Sequence, residues 1–118
     1  MPTNALRKEF VEEWSSVFGA ISHPVRLAIL LTIYETDRRS EGSSVYFNDL
    51  CQAYGLDEPL MLYHLKKLVD AKLIKVRNAD KVGPYYRVYC LQERGRKLLA
   101  DLGLDKEILN AMRREEDL

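Results

Sequence analysis

Between Leu60 and Lys97 the sequence sets ten basic side chains (Lys66, Lys67, Lys72, Lys75, Arg77, Lys81, Arg87, Arg94, Arg96 and Lys97) against three acidic ones, Asp70, Asp80 and Glu93. That segment carries a net +7, residues 1–59 carry −4 and residues 98–118 carry −3, in a chain whose formal charge is zero. The chemistry of such a local excess is electrostatic, because cations gathered on one surface hold phosphate oxygens. A solvated helix and an exposed hairpin also collect lysines, so the excess takes its meaning from the elements that carry it. With no bulk polycation, indiscriminate coating of nucleic acid is not expected. Covalent chemistry has no footing: the sequence holds no Gly-rich phosphate loop, no nucleophile elbow, and no Ser/His/Asp or Cys/His arrangement of catalytic spacing. Cys51 and Cys90 lie far apart with no metal-ligand spacing, so neither a metal nor another cofactor is expected. The two thiols read as small apolar packing groups, with a redox switch as the alternative. His23, ahead of Pro24, reads as a turn or cap residue. His64 reads as a packed histidine at the edge of a core face.

The elements that must position these cations follow from periodicity. From Thr3, apolar residues recur at Leu6, Phe10, Val11, Trp14, Val17, Phe18 and Ile21, within one stripe of roughly 140° on a helix expected to end near Gly19. Pro24 suits the first turn of a second helix reaching about Thr36, apolar round most of its circumference and hence central. Asp37–Ser44 reads as a flexible polar loop. Val45–Phe47 is β-prone, and Asn48 is the expected N-cap of a brief helix stopped at Gly55. A third start at Asp57–Pro59 opens a helix from Glu58 to Ala71. Helix, short Gly-containing turn, helix is the signature of a helix-turn-helix. On the later helix Met61, Leu65 and Leu68 face the core, while Tyr63, Lys66 and Lys67 face outward between Leu60 and Leu62 on the flanks. Leu73–Arg77 and Tyr85–Cys90 read as a hairpin whose polar face carries Lys75, Arg77 and Arg87. Two closing helices run over Glu93–Leu102 and Lys106–Arg114, with a cap at Asp105 and a staple between Leu104 and Leu109. A length of 118 residues, 47% hydrophobic, suits one self-sufficient domain. The N-terminus lacks an apolar core, and the longest strictly apolar run, Leu27–Leu31, is five residues. A membrane span needs roughly 20, so a soluble, cytoplasmic protein with no membrane partner is expected.

The stretch His23-Pro24-Val25-Arg26-Leu27-Ala28-Ile29-Leu30, then Leu50 to Leu56, Tyr63-His64-Leu65-Lys66-Lys67-Leu68, Asp70-Ala71-Lys72-Leu73-Ile74 and Tyr85-Tyr86-Arg87-Val88 resembles the winged helix-turn-helix transcription regulators of the ArsR-like class over about residues 15–91. The resemblance implies a mainly α (α+β) fold, a winged helix-turn-helix with additional N- and C-terminal helices. It divides a single domain, 1–118, into an N-terminal helix (1–21), a winged-helix core (22–91) and C-terminal helices (92–118). It implies that Glu58, Leu60, Leu62, Tyr63, Lys66 and Lys67 face double-stranded DNA, with Lys75, Arg77, Lys81 and Arg87 on the wing. The chain departs from many such regulators in having Pro59, Leu60, Leu62 and Tyr63 where small polar residues and an arginine stand. No bidentate reader of guanine or adenine is evident, which leaves thymine-methyl contacts of Leu60 or Leu62, a Tyr63 hydroxyl on phosphate, or shape readout.

Terminal helices in the resembling proteins commonly form a homodimer, and here their apolar stripes would otherwise stay uncovered. The expected seam takes Leu6, Phe10 and Trp14 from the first helix and Ile108, Leu109 and Met112 from the last. The leading expectation is a dimeric DNA-binding transcription regulator. The alternative is a winged-helix protein-interaction module with little or no DNA binding, docking a partner on Leu60, Leu62 and Tyr63. An extension of the first reading adds an unidentified small-molecule effector at the dimer seam.

Overall fold

Pro24 sets where the first apolar stretch breaks. It pushes His23 into extended geometry (φ −84°, ψ 128°), and the chain turns by 89° between α1 (Thr3–Ser22) and α2 (Pro24–Arg39). β1 (Ser44–Tyr46), α3 (Phe47–Tyr54), α4 (Glu58–Asp70), β2 (Ile74–Asn78), β3 (Arg87–Leu91), α5 (Glu93–Asp101) and α6 (Leu104–Glu116) follow. The structure, a computed structural model, describes residues 3–78 and 86–116. His23 Nδ1 accepts the Val25 N–H at 3.1 Å, so this histidine does cap α2. α1 runs past Gly19 to Ser22 because its last carbonyls find donors. Arg26 donates through Nε to Ala20 O (2.8 Å) and through Nη2 to Gly19 O (3.2 Å), and the Ser22 hydroxyl also donates to Gly19 O.

α2 likewise outlasts its expected end and takes up the start of the expected loop. Arg38 and Arg39 both reach back to Glu35, at 2.8 and 3.0 Å, and cations in a last helical turn suit the helix dipole. At α3 the cap falls on Tyr46 rather than Asn48. β1 delivers the chain directly into the helix, so Phe47, fully buried, is already helical. Gly55 then adopts φ 62° and donates its N–H to Cys51 O, the left-handed stop that glycine supplies without strain. Asp57 Oδ1 accepts the Leu60 N–H at 3.1 Å and starts α4. At the break before α6, Gly103 turns left-handed (φ 74°) and its carbonyl accepts the Glu107 N–H. Leu104 and Asp105 therefore lie inside the first turn, so Asp105 is helical rather than the expected cap, although its Oδ1 accepts the Lys106 N–H at 2.8 Å.

The three strands make one antiparallel sheet in the order β1-β3-β2. Directly opposed pairs share a face, and the register pairs Val76 with Tyr89, Lys75 with Cys90 and Arg77 with Val88. Arg87 therefore lies with Val76, Tyr89 and Leu91 on one face, and Lys75 and Arg77 lie on the other. This corrects the expectation of a single cationic strand face: β3 is the central strand, buried along most of its length, and its parity follows pairing with both neighbours. One core gathers Val17 of α1, Ile29, Leu30 and Ile33 of α2, Phe47 and Leu50 of α3, Met61, Leu65 and Leu68 of α4, Tyr89 and Leu91 of β3 and Leu99 of α5. The helix-turn-helix is thereby fixed to the sheet. No single helix among the described residues is long and apolar enough to cross a membrane.

Candidate nucleic-acid interface

α4 is held by its inner face. Met61, Leu65 and Leu68 are at most 1% exposed, and His64 is 5% exposed. His64 Nδ1 lies 3.3 Å from Arg26 Nη1, and its ring centroid is 4.8 Å from that of His23. Burial first, then the His23 and Arg26 charges, pushes the His64 pKa below the ordinary histidine value. The packed-histidine reading stands. Held this way, α4 turns Leu60 (43% exposed) and Tyr63 (53% exposed) to solvent, one helical turn apart, with Lys66 and Lys67 exposed behind them. Lys66 pairs with Asp70 at 2.9 Å, both well exposed. Such a pair contributes little to stability and opens readily. Lys67 Nζ lies 5.4 Å from the centre of the Tyr63 ring. Glu58 is half-buried in the first turn.

Leu62 lies elsewhere than its flank position suggests. It is half-buried and lines a crevice of about 220 Å³ with Lys66, Val69, Val76, Arg87 and Tyr89, between α4 and the sheet. Burial there outweighs the opposing influence of neighbouring Arg87 and pushes the Tyr89 phenol up. Lys75 and Arg77 are exposed on the far face, beside two open hollows of about 480 and 520 Å³ that meet at Gly42 and Arg77. Neither they nor Lys67 make an ion pair among the described residues. Lys81 lies outside the described residues, and so do the side chains of Leu6 and Met112.

Two of the ten basic residues hold the molecule's own parts together. Arg94 bonds the Glu13 carboxylate, donates to Ala71 O and lies 5.4 Å over the Trp14 ring. It lowers the Glu13 pKa. Arg96 grips both oxygens of Asp37, at 2.8 and 3.0 Å, and bonds Glu93. Asp37 is 5% exposed and also accepts the Gly42 N–H. The Arg96 bonds outweigh burial and, with Gly42, hold the Asp37 carboxyl below its ordinary pKa. The sequence reading missed this clamp by placing Asp37 in a loop. The signal was spacing: Asp37 stands four residues after buried Ile33 and three after buried Tyr34, on the inner face of α2. Cys51 is half-buried and Cys90 buried, both as free thiols. Burial raises the Cys51 pKa, as do the nearby charges of Glu58 and Asp57, which makes it a poor thiolate. Among the described residues no three His, Cys, Asp or Glu side chains gather as metal ligands.

Residues 21–77, from the end of α1 through most of β2, match the helix-turn-helix domain family. No curated protein matches the chain by sequence comparison. Among solved structures it is similar to the transcriptional repressor BigR from Xylella fastidiosa. That likeness has a TM-score of 0.58 at 22% identity over 84% of this chain and 91% of the other. An ArsR family transcriptional regulator is similar at a TM-score of 0.59 and 15% identity, over 82% of this chain and 94% of its own. The chain therefore has the fold of these two regulators, a helix-turn-helix set against a small antiparallel sheet with helices on either side.

Proposed function

We propose that the chain is a DNA-binding transcription regulator rather than an enzyme. It works in the cytoplasm as a homodimer, with α4 in the major groove and the β2–β3 wing along the backbone. The observation that carries this reading is the outward face of α4. A helix rigidly seated by Met61, Leu65 and Leu68 presents Leu60, Tyr63, Lys66 and Lys67 uncovered, as the second helix of a helix-turn-helix must to enter a groove. Lys67, Lys75 and Arg77, without ion pairs among the described residues, are the phosphate contacts of this reading, with Lys66 joining once Asp70 releases it. Lys81 and Arg87 complete the wing surface, and Glu58 stands at the groove-facing N-terminus of α4. The dimer takes the ladder of Phe10 and Trp14, joined by Ile108 and Leu109 of α6, with Leu6 and Met112 extending it.

Mobility-shift titration against duplex DNA at several salt concentrations tests the reading. Affinity should fall with salt by about 0.9 log units per log unit of salt for each phosphate neutralised. Lys67→Ala should lower affinity on every sequence and reduce that slope by about one. Salt-independent binding, or none at micromolar protein, overturns the reading. A second reading, docking of a protein partner, draws on the same exposed Leu60 and Tyr63. It predicts a partner lost on Leu60→Asp with DNA binding absent throughout.

A further inference from the structure

We infer that α4 reads duplex DNA through the 5-methyl groups of thymine, with Leu60 and Tyr63 as the reading residues; this rests on the DNA-binding function proposed above. Base pairs are distinguished in the major groove either by paired hydrogen bonds, chiefly from Arg, Lys, Asn or Gln, or by apolar contact with the thymine methyl. From Glu58 to Asp70 the helix contains no Arg, Asn or Gln. His64, which could bond a base edge, is turned inward against Arg26 and His23. Lys66 bonds Asp70, and Lys67 lies over the Tyr63 ring. Both lysines sit in the second half of α4, whereas base edges are met by the first turns of a recognition helix. Those first turns expose Pro59, Leu60 and Tyr63, while Glu58, whose carboxylate could accept from cytosine N4, is half-buried.

Leu60 and Tyr63 together form an apolar and aromatic surface about half open to water. Against the floor of a major groove, the apolar group such a surface can cover is the C5 methyl of thymine. Leu62 is not a reader, because it lines the crevice against Val76 and Tyr89. The exposed lysines beside the patch supply charge complementarity to the flanking phosphates, which favours a nucleic acid as the occupant. Thymine-bearing steps facing the first two turns of α4 are therefore the preferred substrate, and the preference scales with the number of methyls covered.

The test begins with the tightest-bound duplex selected from a random pool. It is resynthesised with deoxyuridine for thymidine, which removes the methyl and leaves every base-pairing and groove hydrogen-bonding group in place. Affinity should fall about fourfold per covered methyl, the effect of burying one methyl-sized group, with an unchanged salt slope. Leu60→Ala and Tyr63→Ala, both at exposed positions, should shrink the thymine-to-uracil ratio. Lys67→Ala should weaken both duplexes and keep the ratio. Equal affinity for the two duplexes overturns the inference and leaves the DNA-binding reading intact. A ratio that persists in the Leu60→Ala/Tyr63→Ala double variant also overturns it, since the methyl would then act through DNA shape. Failure to bind either duplex overturns the DNA-binding reading itself, and the inference with it.

Discussion

Gly95 sets how closely α5 approaches the sheet. A Cβ built there would lie 2.3 Å from Leu73 O and 3.0 Å from Leu91 Cδ1. That Leu73 carbonyl also accepts the Gln92 N–H at 3.0 Å, so the backbone cannot shift without losing a bond at the start of α5. In an exposed helix, Gly→Ala would stabilise by about 1 kcal/mol. Here the sign reverses, because the extra carbon meets backbone rather than a flexible side chain. Gly95→Ala should destabilise by about 1–3 kcal/mol, the usual cost of overpacking. Urea unfolding with an unchanged m-value would measure it, and a variant as stable as the parent would contradict the close approach. Constraints of this kind are invisible in sequence, since Leu73 and Gly95 are 22 positions apart. The same holds for Arg94 and Arg96. Their types raised the local positive charge, but the carboxylates that engage them, Glu13 and Asp37, lie in the first third of the chain. By contrast Lys66, Lys67 and Tyr63 were legible as outward-facing because helical periodicity is a local property.

At the scale of elements, the joint between α2 and α4 is a pair of histidines and an arginine. Both histidines use Nδ1 as an acceptor, His23 toward the Val25 N–H and His64 toward Arg26. Protonating His64 would remove its acceptor and set a cation beside Arg26. Its folded-state pKa is lowered, so the unfolded chain binds more protons between that value and the ordinary histidine pKa. Stability from this site is therefore fully present above about pH 6.5 and declines as pH falls below it, levelling off once the folded protein also protonates. Chemical denaturation at stepped pH should show the decline. His64→Gln should flatten it between about pH 6.5 and the region where carboxylates of the unfolded chain begin to protonate, at about pH 4. An unchanged slope in that variant would remove His64 as the cause. The carboxylates act in the same direction lower down, because their pKa values are also depressed and their stabilisation is lost as pH falls through them. Most element boundaries were legible, since Pro24, Gly55, Asp57 and Pro59 act within a turn of their own positions. The misplaced ends, at Gly19, Thr36 and Asn48, were decided by side-chain bonds formed just beyond them, from Arg26 at α1 and between Glu35 and the pair Arg38 and Arg39 at α2, and by strand pairing at α3. The strand faces failed for a related reason. Tyr85–Cys90 alternates aromatic or apolar residues on both sides, and parity emerged only from pairing with β1 and β2.

For the whole molecule, α1 poses the remaining question of energetics. It buries Val17 and Ala20 in the core, yet leaves Phe10 60%, Val11 57% and Phe18 49% exposed. The rings of Phe10, Trp14 and Phe18 run along one side, with centroids 6.2 and 6.0 Å apart. A contiguous apolar stripe of this kind marks an interaction surface, and the proposed homodimer would cover it with the same stripe of a second copy. In a two-fold interface each substitution acts twice. Removing one Phe from each side forfeits about 3–6 kcal/mol, taking about 1.5–3 kcal/mol per buried side chain. Phe10→Asp should therefore weaken dimerisation by roughly 10²- to 10⁴-fold on the scale of 1.4 kcal/mol per decade. Because Phe10 lies outside the core cluster, the monomer should keep its helical content. Light scattering coupled to size exclusion should give a dimer mass for the parent and a monomer mass for the variant at the same micromolar concentration. The parent's melting temperature should also rise with protein concentration, as linkage to dimerisation requires, while that of the variant should not. If the parent is itself monomeric under these conditions, the α1 stripe is not a dimer seam. The wing and α4 would then have to bind DNA as a single module on a single half-site.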